Sequence, residues 1–158
     1  MRATDVLSED HLRVRELFLQ LEQSAGGEER QALLDQVADE LELHSQVEEE
    51  LFYPAISKAS ARVEDARTSH QHVRRLLAAV QGLDPGGEEF LAAFRTLKSA
   101  VLSHVTEEEG AMFFEAARLG AARLERLGRK IQQRQATLKT ARLQRSERKV
   151  KQAARRIV

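Results

Sequence analysis

The chain has 158 residues, rich in Ala, Leu, Glu, Arg and Gln, with only 4% aromatic residues; so many helix formers beside so few strand formers argue against a β or mixed fold and predict an all-α protein. It has no cysteine, which excludes a disulfide framework and a thiolate site, so any metal must be held by nitrogen and oxygen. The formal charge is zero, but residues 1–120 carry 12 basic and 23 acidic side chains, a net of −11, and residues 121–158 carry the balancing +11: an acidic body bears a basic tail.

No apolar run approaches the roughly 20 residues that span a bilayer, and the opening Met1–Asp10 lacks the apolar centre of a secretory signal. The expectation is a cytoplasmic protein without a transmembrane segment.

Four amphipathic helices follow in order. Leu7, His11, Val14, Phe18 and Leu21 step by four and three, with Thr4 or Asp5 as N-cap, and Ser24-Ala-Gly-Gly27 ends this stripe. Leu34, Val37, Leu41, His44, Glu48 and Leu51 form the second, which should stop at Pro54 because proline cannot continue a regular helix without losing a hydrogen bond. Ala66, His70, Val73, Leu77 and Val80 form the third, closed by the turn-rich Gly82-Leu-Asp-Pro-Gly-Gly87. The fourth reads Phe90, Phe94, Leu97, Val101, His104, Glu108 and Ala111. Short connections favour antiparallel neighbours, so the expected architecture is an up-down-up-down four-helix bundle. His11 and His44 are 33 residues apart and His70 and His104 are 34 apart. The chain thus reads as two similar hairpins with a pseudo-twofold site between them.

Each stripe carries one histidine, and the second and fourth add a glutamate one turn later: His44 with Glu48, and His104 with Glu108. Residues four apart on a helix share a face. A single histidine on a stripe is commonly a hydrogen-bonded core residue, but a buried carboxylate costs several kcal/mol unless it is paired or meets a cation. Four histidines and two glutamates exceed what one tetrahedral zinc takes. They suit two first-row ions, with iron the expected pair, each with two histidines and bridged by the two carboxylates. Glu49, Glu50, Glu107 and Glu109 read as a solvated helix face, the lesser alternative being that one of them orients a histidine.

In Glu9-Asp10-His11, His44-Ser-Gln-Val-Glu48-Glu with Leu-Phe-Tyr-Pro54, Ser69-His70-Gln-His-Val73, and His104-Val-Thr-Glu-Glu108-Glu with Met-Phe-Phe114, the chain resembles the haemerythrin-like family of HHE cation-binding domains over residues 4 to about 119. The resemblance implies a non-haem di-iron centre inside the bundle. His11 and His44 would serve one iron and His70 and His104 the other, with Glu48 and Glu108 as bridges. Two residues depart from the family pattern. The oxygen carriers add a fifth histidine one turn after the third, where this chain has Arg74, and arginine is not an iron ligand. His72 does not replace it, being about 200° round the helix from His70. Phe114 stands where the family commonly has proline, which lets the fourth helix run on. With four histidines, reaction with dioxygen or peroxide is as open as reversible binding, and Tyr53 or a nearby carboxylate is a candidate further ligand.

The tail, residues 120–158, is expected to be a basic helical extension after a domain boundary at Gly120. Leu124, Leu127, Ile131, Leu138 and Ala141 give it an irregular apolar stripe, with Gly128 a candidate bend. It can dock on its own acidic bundle or on a second copy, or bind nucleic acid. With no aromatic residue to stack on bases, the last would be phosphate binding that weakens with salt. The sequence thus predicts a di-iron protein that binds or reacts with O2 or a related oxidant (peroxide, NO), in sensing or oxidative-stress defence. The alternative is a scaffold with a structural metal that acts through its basic tail on nucleic acid or a protein.

Overall fold

In the computed structural model, which describes residues 1–157, the described residues form helices joined by short turns. Helices α1 (Ala3–Gln23), α2 (Gly27–Val47), α4 (Val63–Gln81) and α5 (Glu88–Glu107) form the antiparallel bundle. Helix α1 packs along α2 and α4 along α5, while α2 and α4 touch sparingly. This is the hairpin pairing expected of short connections. The first helix starts earlier than its sequence signals: Arg2 is the N-cap, and the Asp5 carboxylate accepts the Arg2 backbone N–H at 3.0 Å.

Helices α2 and α5 do not end where regular helical geometry would take them. Each passes into one wide π-helical turn that begins on its glutamate, Glu48–Phe52 and Glu108–Met112, and then into a short α-helix, α3 (Tyr53–Ile56) and α6 (Phe113–Ala116). A π turn contains one more residue than an α turn, so it shifts the buried face by one position. Leu51 and Ala111, expected inside, are only half-buried, and Phe52 and Met112 take the core positions. Pro54 therefore does not stop the chain's helical course. It falls in the first turn of α3, where a missing N–H costs little.

The core has two parts. Phe18, Leu34, Phe90, Phe94 and Leu97 fill the end near the inter-helix turns 24–26 and 82–87. Phe52, Tyr53, Ile56 and Met112 fill the other end, together with Leu124, Leu127 and Ile131 of α7 (Ala121–Arg156). A 3₁₀ turn (Ala117–Leu119) leads to Gly120, whose φ of +82° suits glycine, and there the chain reverses into α7. The first half of α7 lies against α1. Gly128 does not break it: the helix is continuous from Ala121 to Arg156. This glycine instead gives room to the N-terminus, because a Cβ there would meet the backbone of Met1, Arg2 and Ala3. Arg134 binds Glu50 at 2.8 Å, and Arg142 binds Asp39 at 3.1 Å and Glu42 at 3.3 Å, so part of the tail's charge docks on the acidic bundle. From Leu143 to Ile157 every residue is exposed. No helix among the described residues is long and apolar enough to cross a membrane.

Candidate metal centre

His11 on α1, His44 on α2, His70 on α4 and His104 on α5 all point into the middle of the bundle and are buried, and the two π turns bring in Glu48 and Glu108, at 0% and 1% exposure. Helical spacing alone places His44 over Glu48 and His104 over Glu108, with Nε2 to carboxylate distances of 3.0 and 3.1 Å. Tertiary packing does the rest. His11 Nε2 lies 3.0 Å from His44 Nε2, and His70 Nε2 lies 3.1 Å from His104 Nε2.

The two glutamates join these pairs. Glu48 presents Oε1 to His44 and Oε2 to His70, each at 3.0 Å. Glu108 presents Oε1 to His11 at 3.5 Å and Oε2 to His104 at 3.1 Å. The result is two four-donor clusters, His11–His44–Glu48–Glu108 and Glu48–His70–His104–Glu108, in each of which the donor atoms lie within 4.8 Å of one another. All six residues singled out by the sequence pattern thus converge.

Does this donor set fit a cation? Glu48 Oε1 and Glu108 Oε1 are buried without a hydrogen-bond partner, a costly arrangement unless something positive lies beside them. Three of the imidazoles turn Nδ1 to a carboxylate: His11 to Glu109 at 2.9 Å, His44 to Asp10 at 3.2 Å and His70 to Glu49 at 2.8 Å. With Nδ1 as donor, Nε2 carries a lone pair, so the His11–His44 pair sets two lone pairs face to face, which a shared positive partner, an ion or a proton, relieves. Two donors about 2.1 Å from one ion and at right angles lie about 3.0 Å apart, whereas tetrahedral angles would separate them by about 3.4 Å. The observed Nε2 spacings match the right-angled case. The set fits metal ions.

The electrostatics point the same way. Burial opposes protonation of His44, but the charge of Glu48 and the hydrogen bond to Asp10 outweigh it and raise its pKa well above the ordinary 6.5. Burial likewise opposes His70, and its bonds to Glu48 and Glu49 raise it. For Glu48 burial favours the neutral acid, yet His44 beside it holds the carboxyl well below the ordinary 4.5. The interior favours positive charge between these groups.

Tyr53, on the first turn after the π helix, is fully buried, and its hydroxyl lies 3.2 Å from Glu48 Oε2, 3.0 Å from Glu108 Oε2 and 3.1 Å from His70 Nε2. Burial first, and then the two glutamates, push its pKa upward, so it is a phenol rather than a phenolate. Arg74, at the position of the absent fifth histidine, has no metal-binding atom. It donates from Nη2 to Ser45 Oγ at 3.2 Å and to Glu49 Oε1 at 3.1 Å, fixing the carboxylate that holds His70. His72 is exposed on the outer side of α4.

Of the four flanking acids, Glu49 and Glu109 orient histidines, while Glu50 binds Arg134. Two residues that sequence reasoning did not single out complete the shell. Asp10 is 2% exposed, pairs with Arg13, holds His44 and accepts the Gln135 amide of α7 at 2.7 Å. Asp10 had a signal, since Leu7, Asp10, His11 and Val14 follow i, i+3, i+4, i+7 and so share the inward face. Gln135 also lies on a stripe, at i+4 from Ile131 and three before Leu138, but nothing in the sequence points to its partner, 125 residues away.

Comparison with known proteins agrees with this geometry. A crystal structure of a hemerythrin HHE cation binding domain-containing protein from Mycobacterium kansasii superposes with a TM-score of 0.84 at 27% identity, over 90% of each chain. Uncharacterized proteins of Mycobacterium tuberculosis and Mycobacterium bovis are 33% identical over 140 residues, covering 85% of this chain and of theirs. A DNA nickase of Nostoc sp. is 30% identical over 115 residues, which span 72% of this chain but only 33% of the nickase. The family model of the hemerythrin HHE cation binding domain matches residues 2–116, and the chain therefore belongs to that metal-binding family.

Proposed function

We propose that the protein holds two iron ions and uses them to bind or react with dioxygen or a related small oxidant such as peroxide or NO, in a reducing, cytoplasmic setting. The observation that carries this reading is the division of each carboxylate: one oxygen of Glu48 and one of Glu108 belong to each histidine pair. His11 and His44 would hold one ion and His70 and His104 the other, with both glutamates bridging. Each ion would then be offered four protein donors, fewer than a six-coordinate ion takes, which would leave room for a small molecule. Two ferrous irons so held would supply two electrons at one place.

The remaining chemistry belongs to the chain. Tyr53 keeps its proton and offers it between Glu48, Glu108 and His70, next to the second pair. Asp10, Glu49 and Glu109 fix the ring orientation of three histidines, and Val14, Val101 and Val105 give the approach to the imidazoles an apolar lining.

Metal analysis of protein purified from iron-replete cells tests the proposal: two irons per chain are expected, and Glu48→Gln should hold no more than one. One zinc per chain, or no metal, would overturn it. An oxygen-electrode assay with peroxide, and His70→Ala as control, then separates a reactive centre from a reversible carrier. A second reading has two observations in its favour. Arg145, Arg148, Lys149, Lys151, Arg155 and Arg156 are all exposed on the free end of α7, a phosphate-binding pattern, and a relative is a DNA nickase. It predicts low-salt DNA retention that a chain ending at Arg142 loses.

A further inference from the structure

The four imidazoles form the floor of a cleft that enters the bundle between α2 and α4 and has a volume of about 260 Å³. Its walls are Val14, Ala38, Leu41, Val73, Leu77 and Val101, and its polar groups at the mouth are Glu42, Ser45, Arg74 and Gln81. The sequence pattern placed Leu41 and Leu77 in the core, but both are only half-buried, because the cleft passes between them where α2 and α4 touch sparingly. A larger hollow beside His72, Arg95 and Ser99 is a shallower and more open surface feature.

The size of the cleft exceeds what dioxygen needs. An apolar cavity of about 150 Å³ holds benzene, so by the same ratio this one holds roughly ten heavy atoms. Apolar walls with a few convergent polar groups are the usual form of a small-molecule site. Water fills such walls poorly, because it finds few partners there. Arg74 supplies the polar contact. Its bonds to Ser45 and Glu49 all use Nη2, so Nη1 and Nε have no partner among the described residues, and Glu49 already balances its charge. That favours a neutral acceptor over an anion.

We infer that this cleft is a binding site for a compact, mostly apolar organic molecule of roughly ten heavy atoms with one hydrogen-bond-accepting end, which Arg74 meets. As a co-substrate pocket it rests on the metal-centre reading; as a binding site it rests on the walls alone. The probe is 2-naphthol, titrated into the full chain with and without iron and followed by calorimetry and by the probe's own fluorescence, which no tryptophan obscures. Saturable binding at one site per chain is expected. Ala38→Phe and Leu77→Phe, which fill the cleft from opposite walls, should each weaken it at least tenfold with helical content and iron content unchanged, while Leu12→Phe on the exposed face of α1 should leave it as it is. Absence of saturation up to the probe's solubility limit, or binding within twofold of wild type in both filled variants, overturns the inference. Naphthol binding blocked by filling in a chain that takes up no iron would keep the cleft and remove the metal centre. Two irons without naphthol binding would do the reverse.

Discussion

At the scale of single residues the site is a contest between burial and pairing, and pairing wins where several groups converge. His44 and His70 have raised pKa values in the fold, so their contribution to stability is fully present below their unfolded value of 6.5 and is lost as pH rises through the elevated folded values. Glu48 is depressed, so its contribution is present above its unfolded 4.5 and is lost as pH falls through the folded value. Metal-free protein should therefore show a stability plateau between pH 4.5 and 6.5 and a decline on both sides, measured by urea titration across pH. A midpoint that keeps rising from pH 6.5 to 9 would contradict the pairing. Gln135 offers a second residue-level test. Its amide is bonded to a buried carboxylate, and hydrogen bonds to charged groups contribute about 1.5–3 kcal/mol. Gln135→Leu should cost that much in denaturant unfolding, and Gln135→Glu more, since it sets a second carboxylate against Asp10.

Two elements decide the geometry. The π turns start on the glutamates, and the extra residue in each lets Glu48 face its histidine while Phe52 and Tyr53, rather than Leu51, turn inward. Without that shift the Tyr53 hydroxyl would not reach Glu48 and Glu108. Helix α7 acts as a fifth wall, and its fit depends on Gly128. Alanine there would gain about 1 kcal/mol of helix propensity, but its Cβ would lie 2.9 Å from Arg2 C and 3.0 Å from Ala3 N, and backbone yields less readily than a side chain. Overpacking of this kind costs about 1–3 kcal/mol. Gly128→Ala should be destabilising in urea, against the usual trend for exposed helices; a stabilised variant would show that the N-terminus is free to move aside.

For the whole molecule, the tail divides by burial rather than by charge. Leu124, Leu127 and Ile131 share a core with Leu7, Phe52 and Tyr53, and burying a side chain of this size contributes roughly 1.5–3 kcal/mol. A chain ending at Gly120 should lose about 5 kcal/mol or more, much of a typical domain's total, and populate unfolded states at room temperature. A chain ending at Arg142 keeps those contacts and the Arg142 pairs, and should match the full chain within about 0.5 kcal/mol. Equal stability of the two truncations would refute the shared core. The exposed pairs Arg134–Glu50 and Arg142–Glu42 add little, since surface ion pairs contribute about 0–1 kcal/mol each.

The sequence by itself determined the helices and the two His–Glu pairs, because each rests on a local period: His44 and Glu48 meet on one face by helical arithmetic, as do His104 and Glu108; short connections set the hairpin pairing, and the packing of four helices brought the six donors together. The i, i+3, i+4 pattern also contained Asp10. Only the tertiary structure decided the rest. A π turn leaves no mark on hydrophobic spacing until its shifted face is seen, so Pro54, Leu51 and Ala111 were misplaced. The pairing of Arg74 with Glu49 spans 25 residues and that of Gln135 with Asp10 spans 125, and no periodicity reaches across separate helices. The cleft between α2 and α4 belongs to neither helix, since Leu41 and Leu77 have the spacing of core residues and are half-exposed only because the helices part there.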